Sequence, residues 1–356
     1  MRPEEELISI LSQVRLKEQR LIRLEDLLKD NLDWDYIFNR SKEESVYPFI
    51  YYHLNNSPYK DYIPNGILEQ FKTAYYSNSL TNLRLYEEAK RIFKIFNEEN
   101  IKAIVLKGIF LAENIYKNIA LRPMTDVDIL IKKEDLLKVN AILNSLGYSA
   151  GVNCQAVLRQ PFSYSLTFSP QASNEANSFC IDVHWHILSS TWLTGFLSDK
   201  IDLERIWLQA EPVKIEDVDA LTLSPAHLLL YLAQHGFAHS FKRLIMLTDI
   251  IEIFRHYRNK VDWDILREEA ERLQLVNILS YSLYFASRKL GANLPEIEKI
   301  ISTDGKFRRN ILYRLRNINI YGFPCFIYIL LQNSFKNKLR FASKAISLST
   351  HLMAHS

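Results

Sequence analysis

Two aspartates occupy alternate positions in the run LRPMTDVDILI, residues 121–131, and a third acid, Asp182, lies in FCIDVHWHI, residues 179–187. A β-strand turns residues i and i+2 to the same face. The carboxylates of Asp126 and Asp128 are therefore expected side by side, with Val127, Ile129 and Ile131 pointing the other way into a core. Two like charges in an apolar run call for a cation. Hard divalent ions such as Mg²⁺ take oxygen ligands from one or two carboxylates together with substrate phosphates. A third carboxylate on a neighbouring strand would complete a clamp for one or two ions, stabilising the attacking and leaving oxygens of a phosphoryl or nucleotidyl displacement. Asp182 is the candidate. The pair alone is a weak signal, because Asp-x-Asp also arises on solvated edge strands.

The neighbouring residues sharpen it. VLKGIF, residues 105–110, precedes the pair, and Gly108 would let backbone N–H groups approach a triphosphate at a helix N-terminus. Lys107 offers a point charge, and Arg122 is placed to hold a phosphate oxygen. The plainer reading of both is ordinary surface charge at a strand exit. Asp182 shares a strand face with His184 and His186, so it reads as a metal ligand, as a base, or as a buried acid paired with a histidine; His184 then orients a carboxylate. His235 and His239 have metal-ligand spacing on a helix, yet HGFAH lacks the glutamate of a zinc-protease motif, and they are expected to line the cleft or cap the core. Arg243 and Asp249 are expected to pair with each other, either facing the site or as a purely structural bridge.

The elements that must position these groups follow from periodicity. Residues 1–98 carry apolar residues at three- and four-residue spacing and read as helices broken at Pro48, Pro58 and Pro64. After Asn100 the texture changes: IKAIVL and TDVDILI read as strands, IFLAENIYKN and EDLLKVNAILNSLGY as helices, the second closed by Gly147. FSYSLTFS (162–169) and FCIDVHWHI then read as strands joined by the polar loop SPQASNEANS. From about residue 200 the spacing is helical again, with Ser224-Pro225 as a cap and first-turn pair.

Bulk properties set the frame. The chain has 356 residues, 48% hydrophobic and 24% charged, a globular composition with room for a large core. Its 44 basic and 41 acidic residues leave a formal charge of +3, too balanced to indicate a nucleic-acid partner. The acidic, amphipathic N-terminus has no signal-peptide h-region, the longest apolar stretch near Ile327–Leu331 is too short to span a bilayer, and three scattered cysteines form neither a disulfide framework nor a metal motif. A cytoplasmic location is expected. The basic stretch KFRRNILYRLRN, 306–317, and the lysine-rich tail read by default as a solvated helix face.

LKG, an apolar helix ending in Tyr116, LRPMTDVDILI, a helix ending in LGY, and IDVHWH together resemble the uncharacterised nucleotidyltransferase family of bacterial biosynthetic clusters, within the polymerase-β-like superfamily. WDYIFNRS and YPFIYYHL earlier, and HLLLYLAQHGFAHS, RLIMLTDIIEIFR and VDWDILREEA later, extend the resemblance over most of the chain.

The resemblance implies an α+β fold: a small mixed-sheet nucleotidyltransferase core over 99–190, flanked by helical regions over 1–98 and 191–356. It implies Mg²⁺ and an NTP such as ATP, with Asp126 and Asp128 matching the metal pair, Asp182 the third carboxylate, and Lys107-Gly108 the family's substitute for the superfamily's Gly-Ser turn. Ile109 stands where a serine hydroxyl would meet phosphate, so the triphosphate must be gripped differently. The expected activity moves an NMP to a small molecule, sugar or peptide, releasing pyrophosphate. The alternatives are a nucleotide-binding regulatory or antitoxin-like module with little catalysis, and a scaffold in which the aspartates are structural.

Overall fold

The computed structural model describes residues 2–55, 58–160, 163–171, 179–188 and 201–294. Four short helices open the chain, α1 (Pro3–Leu11), α2 (Glu18–Leu28), α3 (Trp34–Glu43) and α4 (Tyr47–Asn55), and a long one follows, α5 (Asn65–Glu98). Local chemistry starts them. Pro3 opens α1 with Glu4, Glu5 and Glu6 in its first turn, and Asp33 accepts a bond from the Tyr36 N–H at 2.9 Å to cap α3. Along α5 the buried stripe runs Phe71, Leu85, Ala89, Ile92, Phe93 and Phe96, the spacing of a helix lying on a core. Asn78 and Asn82 interrupt that stripe and are also buried.

The central segment is β1 (Ala103–Val105), α6 (Lys107–Phe110) running into a π-helical turn over Leu111–Ile115, β2 (Asp126–Ile131), α7 (Leu136–Ser145), β3 (Tyr148–Ser149), α8 (Cys154–Arg159), β4 (Ser165–Pro170) and β5 (Cys180–His184). After it come α9 (Leu203–Leu208), β6 (Glu211–Ile215), β7 (Val218–Thr222), and then α10 (Pro225–Ala238), α11 (Leu244–Tyr257), α12 (Trp263–Arg272) and α13 (Val276–Leu290). The seven strands among the described residues form one mixed sheet in the order β3-β4-β5-β2-β1-β7-β6. β2 runs parallel to β5 and antiparallel to β1; β1 runs parallel to β7. Helices beside a mixed sheet make the fold α+β, as expected, and one hydrophobic core runs through helices and sheet alike.

Three expectations need correction. The helical texture read from residue 200 is broken by the β6–β7 hairpin, whose turn holds Glu216 at φ 54°, and β7 joins the sheet through Ile104 and Leu221. Its signal was weak because β6 is an edge strand with Pro212 and mostly exposed residues, so no apolar alternation marks it. Lys107 and Gly108 do not form a turn after β1; they are the first residues of α6, with Leu106 at its N-cap. The strand read from Phe162 starts in the structure at Ser165. Gly147 does close α7, at φ 88°.

Phe162, most of the polar loop over 172–178, Ile327–Leu331, Cys325, KFRRNILYRLRN and the lysine-rich tail lie outside the described residues. No helix among the described residues is long and apolar enough to cross a membrane.

Candidate active site

The parallel pairing of β2 and β5 sets Asp126 beside Cys180, Asp128 beside Asp182 and Leu130 beside His184. Partners in a parallel ladder share a face, so Asp126, Asp128, Asp182 and His184 all emerge on one side of the sheet. The other side carries Val127, Ile129, Ile181 and Val183, each fully buried. Asp128, Asp182 and His184 come closest, with ligand-type atoms all within 4.8 Å of one another. Asp126 sits one step along the strand, half-buried, and lines the neighbouring cavity together with Asp128.

Asp128 is the centre of the cluster. Its Oδ1 accepts from Lys107 Nζ at 2.9 Å and lies 3.3 Å from His184 Nε2. Burial alone would raise its carboxyl, yet the Lys107 charge and the His184 bond outweigh burial and hold Asp128 far below the usual carboxylate range. Burial likewise works against the Lys107 ammonium, and the Asp128 carboxylate overcomes that and raises Lys107 above its ordinary value. Asp126 has no such partner: burial and the adjacent Asp128 charge push it up to about 6. Asp182 Oδ1 accepts from the Thr167 hydroxyl at 2.6 Å across the β4–β5 pair.

Among the described residues, three carboxylates therefore face one ammonium, and Asp128 Oδ2 is buried without a hydrogen-bond partner. Buried acceptors are seldom left unpaired, and excess negative charge with free oxygen lone pairs is the donor set a hard divalent cation prefers. The residues present thus fit such an ion.

The cavity beside the carboxylates has a volume of about 140 Å³, and its walls include Lys107, Asp126, Asp128, His235, Arg243 and Asp249. The expected pairing of Arg243 with Asp249 is not what forms. Arg122 takes Asp249 instead, donating from Nε to Oδ1 at 3.0 Å and from NH2 to Oδ2 at 2.8 Å, while the Tyr116 hydroxyl donates to the same Oδ1 at 2.6 Å. Arg122 is thereby drawn into a buried two-pronged pair, and exposed Arg243 has no ion-pair partner among the described residues. Gly108 is buried under the 122–124 segment; a Cβ there would come within 3.0 Å of Met124 Sδ and 3.3 Å of Arg122 NH1. Its lack of a side chain admits those two residues. His235 lines the cavity as expected and its ring centroid lies 4.6 Å from that of His239. Burial, with the Lys107 charge and His239, pushes His235 well below its ordinary value.

Sequence reasoning missed what holds the loop before β2. Asn78 Nδ2 donates to the Ala120 carbonyl at 2.8 Å, Asn82 Nδ2 donates to the carbonyls of Arg122, at 2.8 Å, and Ile119, and the Tyr86 hydroxyl donates to the Ile109 carbonyl at 2.6 Å. The signal was present: amides on the buried stripe of an amphipathic helix must find partners.

Adjacent strand carboxylates over a mixed sheet, with a lysine at their base, form a donor set that a divalent cation could take. The family described as uncharacterised nucleotidyltransferase matches residues 30–291, and the chain belongs to it. The protein is accordingly a nucleotidyltransferase, a transferase enzyme. No curated protein matches the chain.

Proposed function

We propose that the enzyme moves a nucleoside monophosphate from an NTP to a hydroxyl-bearing or phosphate-bearing acceptor, with pyrophosphate leaving, at the face formed by Asp126, Asp128 and Asp182. The observation that carries this reading is the clustering of three carboxylates against one ammonium, with Asp128 Oδ2 buried and unpaired. Asp126, Asp128 and Asp182 would hold one or two Mg²⁺ ions, which supply neutralisation of charge on the triphosphate when bound.

The chain's own residues do the rest. Lys107 and His184 fix the Asp128 carboxylate in its charged form and in one orientation. Asp182, which accepts from the Thr167 hydroxyl, either completes the ion site or takes the acceptor proton. Lys107 and Arg122 both spend their charge on carboxylates, so Arg243 is the cation assigned to the triphosphate in place of Arg122. Arg122, with Gly108 packed beneath it, becomes a positioning residue for the segment leading into Asp126.

The reaction type is tested by supplying each NTP labelled on the α- or the γ-phosphate, with Mg²⁺ and a small-molecule extract as acceptor source. The reading expects α-label on an acceptor and γ-label in pyrophosphate. Transfer of γ-label to the acceptor would overturn it.

A further inference from the structure

A cavity larger than the catalytic one lies away from the carboxylates. It has a volume of about 840 Å³ and is walled by the α1–α2 connection, the turn after α6, the C-terminal half of α11 and the residues after α13. Among the described residues, five cationic side chains line it, Arg15, Lys17, Lys117, Arg255 and Arg258, against one carboxylate, Glu252. That carboxylate is already engaged, accepting from Arg255 at 2.9 Å and from the Val14 N–H at 3.2 Å.

The positive field extends past the cavity. Lys17 and Asn293 also line an adjoining cavity whose wall includes Arg20, Arg23 and Arg288. Burial and the like charge of Arg255 hold Arg20 below its ordinary value, and the nearby Glu6 is taken by Arg23 through two bonds of 2.8 Å. Like charges gathered in a walled concavity focus potential and repel one another unless an anion enters. The volume suits one small molecule, within the several-hundred-Å³ range of ligand sites.

We propose that this cleft is a second ligand site, distinct from the catalytic pocket, that takes a small molecule carrying two or more phosphate groups. The two sites share a wall. Tyr116 lines the cleft and donates its hydroxyl to Asp249, which lines the catalytic pocket; α11 likewise spans the two sites, with Arg243 at its N-cap lining one and Arg255 in its last turn lining the other.

The probe is inorganic tripolyphosphate, titrated calorimetrically into the full chain in EDTA, so that metal-dependent binding at the carboxylates is silent. Wild type is expected to bind, Arg15→Glu/Lys117→Glu to bind at least tenfold more weakly, and both Arg243→Ala and Lys102→Glu/Lys133→Glu to stay within twofold of wild type. Arg15, Lys117, Lys102 and Lys133 are exposed, and an Arg15→Ala/Lys117→Ala variant repeats the test with the milder change. Absence of binding to wild type would overturn the proposal. So would an equal loss in the Lys102/Lys133 variant, which would make the effect diffuse charge, or in Arg243→Ala, which would place the ligand in the catalytic pocket.

Discussion

Lys107 Nζ lies 2.9 Å from Asp128 Oδ1, while the second oxygen of that carboxylate is buried with no hydrogen-bond partner among the described residues. The lysine keeps the carboxylate ionised and leaves one oxygen for a cation. Removing it exposes the repulsion among Asp126, Asp128 and Asp182.

Lys107→Met is expected to lower stability by about 3 kcal/mol without metal, the order seen when one partner of a buried pair is lost. Mg²⁺ should restore more of the variant's melting temperature than it adds to wild type, because the ion takes over the missing neutralisation. Equal Mg²⁺ shifts in the two proteins would argue against a cation at this face.

Breaking the Arg122–Asp249 pair should cost more than removing it. Asp249→Ala leaves a buried guanidinium and is expected to destabilise by on the order of 3 kcal/mol, whereas Arg122→Met/Asp249→Leu should lose less than Asp249→Ala in urea unfolding. Additive losses would mean that the two residues act independently.

Arg243→Ala should leave the urea midpoint nearly unchanged, since the side chain is exposed and unpaired among the described residues. The KM for NTP should rise about tenfold, the cost of about one charged hydrogen bond. An unaltered KM would remove Arg243 from the triphosphate site.

Behind α10, Glu269 is fully buried; its Oε2 is bonded to His227 at 3.2 Å and accepts from Arg272, while its Oε1 forms an ion pair with Arg205 at 2.6 Å. Burial would raise its carboxyl, but the Arg272 and His227 bonds outweigh burial and lower it beneath 4.5; burial lowers His227 beneath 6.5. Both folded values are depressed, so both contributions are present above pH 6.5 and are lost as pH falls, first that of His227 and then, below 4.5, that of Glu269. Glu269→Gln should destabilise at pH 7.5, and the gap to wild type should narrow below pH 4.5. A gap constant from pH 7.5 to 4 in denaturant unfolding would contradict this.

The carboxylate face was legible in the sequence because strand periodicity is local: Asp126 and Asp128 two apart, Asp182 in a second apolar run. The partners of Arg122 and Arg243 were not legible. Which of two arginines reaches Asp249 depends on how α11 packs beside the loop after α6, a tertiary fact that no spacing encodes. The β6–β7 hairpin escaped for a different reason. Its pairing is settled by contact with β1, more than a hundred residues earlier, while its own residues look like a polar connection. Gly108 carried a local cue with two physical readings, room for phosphate or room for a neighbour, and the packing of Met124 and Arg122 fills the space a Cβ would take.

The most direct test of the carboxylate site is the melting temperature of the purified protein with each of the four NTPs, with and without Mg²⁺, compared with Asp126→Asn. Asp126 is the half-buried member of the pair, so its amide variant is expected to fold. The account predicts an upward shift that requires Mg²⁺ and NTP together and that Asp126→Asn loses. A shift of the same size in the variant, or none in wild type with any nucleotide, would contradict a metal–nucleotide site at Asp126 and Asp128.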